Sequence, residues 1–208
     1  MTALIAGLTT LDVLHRLDHV PDPSLKVTST DFTMAAGGPA TNAAVTYAAL
    51  CAASRVLSDP EDEAGAVSGA PADSEETPIL LTALGEGPVS AFLAADLAAV
   101  GVRSALGVGA AAEFLRADLA EAGVRLVDAT AASNSSGPAV SAIIEHPGGR
   151  MVASTNARLD ADAERVATDL PERVGAVLID GHNPSLAREA LTLGIERVEE
   201  GDPFALLE

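Results

Sequence analysis

The sequence predicts an α/β domain in which buried parallel strands alternate with helices. Three apolar runs of strand length, residues 3–8, 79–84 and 173–179, carry almost no charge, as strands covered on both faces do. Segments of helical length separate these runs, and this alternation is typical of a parallel sheet packed between helices. The chain has 208 residues, of which 48% are hydrophobic and only 2% aromatic, so aliphatic side chains must build the core.

The charge and the single cysteine restrict the partners and the compartment. The net charge of −18 argues against nucleic acid or an anionic membrane as the main partner. Cys51 is the one cysteine, which excludes an internal disulfide and suits a reducing compartment. Neither a signal-peptide pattern nor an apolar run of membrane-spanning length is present in the sequence. We expect a soluble, cytoplasmic protein that binds a small molecule.

At the N-terminus, residues 3–8 are predicted to form a buried strand that is followed by Asp12. Ligands bind at the carboxyl edge of open α/β sheets, so this carboxylate could hold substrate hydroxyls; a turn or capping aspartate is the alternative. Residues 17–26 contain two prolines and are predicted to be a loop or edge strand, whereas the alternation over 27–34 predicts a strand.

The segment 34–50 is the centre of the functional prediction. Gly37 and Gly38 precede an alanine-rich helix pattern that carries Asn42 in its first turn. A glycine pair lets a ligand approach the backbone, and the first amides of the helix lack internal partners. Asn42 can both donate and accept hydrogen bonds. The segment therefore predicts a cradle for a hydroxylated or anionic ligand, or alternatively a plain strand–turn–helix corner.

The middle of the chain contains an acidic linker and a tandem repeat. Residues 58–78 have almost no large apolar side chain and are predicted to be solvated. Residues 83–103 then match 105–125, so the repeat spans 83–125, and each copy predicts a glycine turn followed by a helix. Within the second copy Gly107, Gly109 and Ala112 fit a GxGxxA dinucleotide pattern, with Asp128 further on. Two ordinary helix starts are the alternative.

The C-terminal third predicts a hairpin and a third buried strand. Residues 139–144 and 151–154 are joined by a Pro-Gly-Gly turn, Asn156 follows, and residues 159–170 are predicted to be a polar helix. His182 follows the strand 173–179 and precedes a predicted helix at 185–193, so it is either a ligand contact or a structural histidine. The sequence contains no metal spacing, nucleophile elbow or Walker loop.

The order of these motifs resembles the N-terminal part of ribokinase-like (PfkB) carbohydrate kinases. The segments that carry the resemblance are GLTTLD, AGGPATNAAV, SGPAVSAIIEHPGGRMVASTNA and VLIDGHNP. It implies a three-layer fold, a central sheet flanked by helices, with a small β lid formed by residues of about 13–36 and 137–155. It also implies that the lid can form a homodimer contact.

The resemblance further implies the activity and the site. Such a kinase transfers the γ-phosphoryl group of ATP, with Mg²⁺, to a hydroxyl of a sugar, nucleoside or related polyol. The substrate-binding residues would be Asp12, Gly37, Gly38, Asn42, Asn156 and His182. Pro39 stands where ribokinases often have a basic residue, which leaves the sugar open.

One signature of that family is missing from the sequence. No segment resembles the glycine-rich DTxGAGD motif that carries the catalytic aspartate, so we expect residues 1–208 to be an incomplete, C-terminally truncated domain that is inactive alone. No catalytic residue is assigned. The alternatives are a non-catalytic sugar-binding protein and, on the GxGxxA pattern, an NAD-binding enzyme.

Overall fold

Helices and strands alternate along the chain, as the sequence predicts. The computed structural model describes residues 2–58, 77–85, 110–134, 136–155, 159–162, 167–170, 174–197 and 206–207. Its elements in order are β1 (Ala3–Ala6), β2 (Thr10–Arg16), β3 (Asp31–Gly37), α1 (Pro39–Ser58), β4 (Ile79–Thr82), α2 (Ala110–Glu121), β5 (Arg125–Asp128), β6 (Ala139–His146), β7 (Gly149–Ser154), β8 (Ala176–Ile179), α3 (Pro184–Arg197) and β9 (Leu206–Leu207).

The central sheet has five parallel strands in the order β5-β4-β1-β8-β9. Ile5 in β1 lies opposite Leu80 of β4 on one side and Leu178 of β8 on the other. The three apolar runs of the sequence thus occupy adjacent positions, which explains why they contain so little charge.

Helices cover the two faces of this sheet and create a three-layer fold. Ile5, Leu80 and Leu178 pack with α1, whose contacts come from Ala40, Ala44 and Ala48 at helical spacing. The alternate strand residues, among them Leu4, Leu81 and Val177, form the other core with Leu186 and Ala190 of α3. Within the described part of the chain no helix combines the length and apolar character that crossing a membrane requires.

A second sheet contains four strands in the order β3-β2-β6-β7. β2 pairs in parallel with β6, and both outer strands pair antiparallel. Leu11 packs with Leu84 and with Ala112 and Leu115 of α2. The Asp118 carboxylate of α2 also accepts a 2.6 Å hydrogen bond from the Ala36 N–H. Helix α2, the second repeat copy, therefore joins the two sheets.

Several element predictions need correction. Asp12 was expected after a strand but lies inside β2, which the sequence analysis missed. The strand predicted at 27–34 is at Asp31–Gly37. The helix predicted for 159–170 is wrong at its start, because Ala161 forms a bridge with Thr130. Most of the acidic linker (59–76), most of the first repeat copy and the start of the second (together 86–109) lie outside the described residues.

Candidate functional site

The corner between β3 and α1 is built from the two glycines that the sequence singled out. Gly37 is the last residue of β3, and Gly38 has a φ of 102°. A Cβ on Gly38 would overlap the Leu8 carbonyl oxygen, so both the backbone angle and the close approach require glycine. Nearby, the buried hydroxyls of Thr41 and Thr9 are hydrogen bonded at 2.9 Å. These contacts hold the start of α1 against the β1–β2 loop, residues Gly7–Thr9.

The Asp12 carboxylate lies directly against Gly37. A Cβ built on Gly37 would overlap this carboxylate, so glycine makes room for it. The Thr10 hydroxyl donates a 2.6 Å hydrogen bond to Asp12 Oδ1 and fixes its orientation. Because Thr10 pairs with Gly37 and Asp12 with Ala35, the antiparallel register brings the carboxylate to the corner. Asp12 and the glycine pair, which the sequence places 25 residues apart, are thus brought together.

Asn42 lies in the first turn of α1. Its N–H donates a 2.9 Å hydrogen bond to the Gly38 carbonyl, and its side chain is exposed. The amides of Ala40 and Thr41 precede this bond, so they belong to the helix end that lacks intrahelical acceptors. The corner therefore presents one carboxylate, one side-chain amide and a helix N-terminus.

His182 lies beyond the end of β8 and is held by Asp180, which the sequence analysis did not assign. The two Asp180 carboxylate oxygens accept hydrogen bonds from the backbone N–H groups of Leu8, at 2.8 Å, and His182, at 2.9 Å. A Cβ on Gly7 would overlap the same carboxylate. The His182 side chain is half-buried, and among the described residues its Nδ1 has no hydrogen-bond partner.

The β1–β2 loop links these two parts of the site. Asp180 contacts Gly7 and Leu8, and the carbonyl of Leu8 in turn contacts Gly38. His182 and the glycine corner are therefore joined through three consecutive contacts at the carboxyl edge of the central sheet. Sequence spacing gives no sign of the Asp180 contacts, because 172 residues separate Asp180 from Leu8.

The hairpin β6–β7 brings two serines to the Asp12 side of the four-stranded sheet. Ser141 lies opposite both Asp12 and Ser154, and its hydroxyl donates a 3.1 Å hydrogen bond to the Ser154 hydroxyl. Neither serine was assigned from the sequence. Asn156, which was assigned, lies outside the described residues, two positions beyond the end of β7.

Comparisons with solved structures show which fold the two sheets and their helices form. A protein from Agrobacterium tumefaciens assigned as a ribokinase shows a TM-score of 0.52 at 22% identity, over 92% of this chain and 48% of its own. Phosphofructokinase-2 from Escherichia coli, solved in complex with fructose-6-phosphate, shows a TM-score of 0.52 at 14% identity, over 100% of this chain and 53% of its own. The chain has a ribokinase-like fold.

Comparisons of the sequence itself find no related family or protein. No protein-family profile matches the chain, and no curated protein sequence matches it either. The chain spans about half the length of the solved structures that it matches. The structural similarity thus establishes the ribokinase-like fold alone.

Asp128, the acidic residue of the GxGxxA interpretation, is engaged in local contacts. Its carboxylate accepts hydrogen bonds from the Thr130 hydroxyl at 2.6 Å and the Arg116 guanidinium at 2.5 Å. Ala112, the last residue of that pattern, is fully buried in α2, while Gly107 and Gly109 lie outside the described residues. These contacts give Asp128 a role in holding α2 beside β5.

The implied Mg²⁺ has no assigned ligands in this chain. Among the residues that the structure describes, no three His, Cys, Asp or Glu side chains are grouped so that they could hold a metal ion. Mg²⁺ that accompanies a nucleotide is held largely by phosphate oxygens and one or two carboxylates, so the described residues assign no ligand to it.

Proposed function

We propose that this chain supplies the substrate-binding part of a carbohydrate kinase. The reaction would transfer the γ-phosphoryl group of ATP to a hydroxyl of a sugar, nucleoside or related polyol. One observation carries the proposal: the Asp12 carboxylate is fixed against Gly37 at the start of α1. This corner combines an acceptor for sugar hydroxyls with the amides at the start of α1 that lack intrahelical acceptors.

The proposed roles follow from the chemistry of each group. Asp12 would accept hydrogen bonds from sugar hydroxyls, because Thr10 engages only one of its oxygens. Gly37 and Gly38 would shape the sugar site by admitting the Asp12 carboxylate and the Leu8 carbonyl beside them. The exposed Asn42 amide would both donate and accept. We further propose Asn156 and His182 as contacts from the neighbouring elements.

The remaining parts of the proposal rest on the ribokinase-like fold. A sugar substrate is supported by the phosphofructokinase-2 neighbour, which was solved with fructose-6-phosphate. We propose ATP as the phosphoryl donor, with Mg²⁺ as its counterion, and assign no catalytic base. A cytoplasmic location and a homodimer through the four-stranded sheet belong to the same proposal.

Sugar binding by the 208-residue chain tests the proposed site. Calorimetric titration with ribose, fructose and fructose-6-phosphate should give saturable binding for at least one of them. Asp12→Asn should weaken that binding by about 10- to 100-fold, because charge-assisted hydrogen bonds are lost. Asp31→Asn is the matched control, since Asp31 is exposed in the same sheet. Equal loss in both variants, or no binding at all, would remove Asp12 from the function.

Two further measurements separate a kinase from a sugar-binding protein without chemistry. A coupled assay of ADP release should show no sugar-dependent turnover by this chain, which lacks a DTxGAGD-like segment. Turnover would mean that the base lies within it. Sequencing the genomic DNA past codon 208 then decides the class: a DTxGAGD-like segment there supports the kinase, and its absence supports the binding protein.

A further inference from the structure

A cavity of about 490 Å³ lies beside the four-stranded sheet, away from the proposed sugar site. Residues of the segment after β2 line it, together with His15 and Ile144, which are paired across β2 and β6. Successive strand residues point to opposite faces, and His15 is three positions from Asp12. The cavity and the Asp12 carboxylate are therefore on different faces of the same sheet.

Lys26, the only lysine of the chain, lines this cavity. No carboxylate of the described residues lies within ion-pair distance of it, although the net charge is −18. The acidic groups in the neighbouring segments have other partners. Asp31 and Glu145 form ion pairs with Arg16. The Ser24 hydroxyl and N–H donate to Asp22, and they hold its pKa below the usual value.

Residues with hydrogen-bond donors line the same cavity as Lys26. His15 Nδ1 is 3.2 Å from the Ser29 hydroxyl oxygen. If Nδ1 carries the ring proton it donates to Ser29, and the Ser29 hydroxyl proton is free for a ligand. If Nδ1 accepts, the neutral ring carries its proton on Nε2. In either tautomer the pair retains one donor, and the Thr28 hydroxyl adds another.

We propose that this cavity binds a small organic anion, whose carboxylate or phosphate group would lie against Lys26. Leu17 and Ile144 provide an apolar wall for the rest of the molecule. The volume is in the range of ordinary small-molecule sites. This second site is separate from the proposed sugar site, because it uses the opposite face of the sheet and none of the residues assigned to the sugar.

The single lysine allows a direct test. Protein labelled with ¹³C-lysine has one lysine Cε resonance, which we follow during titration with sodium phosphate and with sodium acetate at constant ionic strength. We expect a saturable shift with at least one of the two anions. Saturation by phosphate alone or by acetate alone identifies the oxyanion class. A small linear change with both anions would reflect general ionic effects and would overturn the proposal.

Calorimetry with the same anion on unlabelled variants tests the assignment of Lys26. Lys26→Met should weaken binding about tenfold or more, and Lys26→Arg should retain most of it because the charge is kept. Arg188→Met removes an exposed cation on α3 and serves as the matched control. Affinity that falls equally in Lys26→Met and Arg188→Met would contradict a built site. Circular dichroism of each variant confirms that the fold is kept.

Discussion

At the level of single residues, the candidate site contains two carboxylates that each lie against a glycine. The Asp12 carboxylate fills the space that a side chain on Gly37 would need, and the Asp180 carboxylate does the same at Gly7. Interiors are close-packed, so a group that fills such a space has few alternative positions. The glycines thus fix the carboxylates, in addition to allowing the chain to turn.

Gly37→Ala tests the first pair. The new methyl group would overlap the Asp12 carboxylate, so the backbone or the carboxylate must shift. We expect the free energy of unfolding in urea to fall by about 1–3 kcal/mol, together with weaker sugar binding. Gly181→Ala is the control, because no atom lies within 4 Å of a Cβ there. Equal stability of the two variants would show that Asp12 moves freely.

Asp180→Asn tests the group that holds His182. The Leu8 and His182 N–H groups bond to different oxygens of Asp180. In asparagine one of these oxygens is replaced by an NH₂ group, which cannot accept, so one of the two hydrogen bonds is lost. We expect a loss of about 1–3 kcal/mol in the free energy of unfolding, and faster hydrogen exchange at one of these two amides. Asp160→Asn at an exposed position is the control. Unchanged exchange at both amides would argue against this role of Asp180.

At the level of elements, the sequence predicts best where local pattern and burial agree. β1, β4 and β8 are buried on both faces, which leaves continuous apolar runs that are visible without any partner. β2 was missed because it carries Asp12, His15 and Arg16 among its apolar residues. Residues 159–162 were assigned wrongly because a long-range bridge to Thr130 overrides their helical pattern.

The proximity of Asp12 to the glycine corner was predictable to a similar extent. The residue types and the order of Asp12, Gly37 and Asn42 in the sequence predicted that they would lie at one corner of the fold. Their geometry depends on the pairing of Thr10 with Gly37, which no local pattern contains. The same holds for Asp180, whose partners lie on another strand-end. Long-range contacts therefore supply what the sequence analysis could not.

The repeat gives a prediction for one element. Leu84, just after β4, packs in one cluster with Ala112 and Leu115 of α2. The end of the strand is thus already next to the helix of the second repeat copy. We expect that deleting residues 86–107, which joins Gly85 to Val108, preserves α2 and its contacts. Circular dichroism and urea unfolding would measure this.

Leu119→Ala in both backgrounds provides the control for the deletion. Leu119 is fully buried between α2 and the central sheet, so its truncation should cost about 2–5 kcal/mol of unfolding free energy. The same cost in the full and the shortened chain would show that α2 docks identically. A much smaller cost in the shortened chain would mean that residues 86–107 are needed for docking.

At the scale of the molecule, one short loop connects both sheets and the first helix. The Gly7 N–H donates to the Leu81 carbonyl at 3.1 Å, Leu8 is bound by Asp180, and Thr9 is bonded to Thr41. The loop therefore contacts β4, the end of β8 and α1 within three residues. The glycine corner and the Asp180–His182 pair both contact this loop. A substitution that shifts the loop at one of them should therefore also shift the other.

The net charge of −18 yields a prediction for the whole molecule. Repulsion among excess carboxylates opposes a compact state, and salt shortens its range to about 10 Å at 0.1 M. Salt also weakens ion pairs, but Arg16 with Asp31 and Glu145 is more than 45% exposed, and such pairs contribute about 1 kcal/mol or less. Repulsion should therefore dominate, and the urea midpoint should rise between 0.05 and 0.5 M sodium chloride. A midpoint that falls would show that local ion pairs outweigh the net charge.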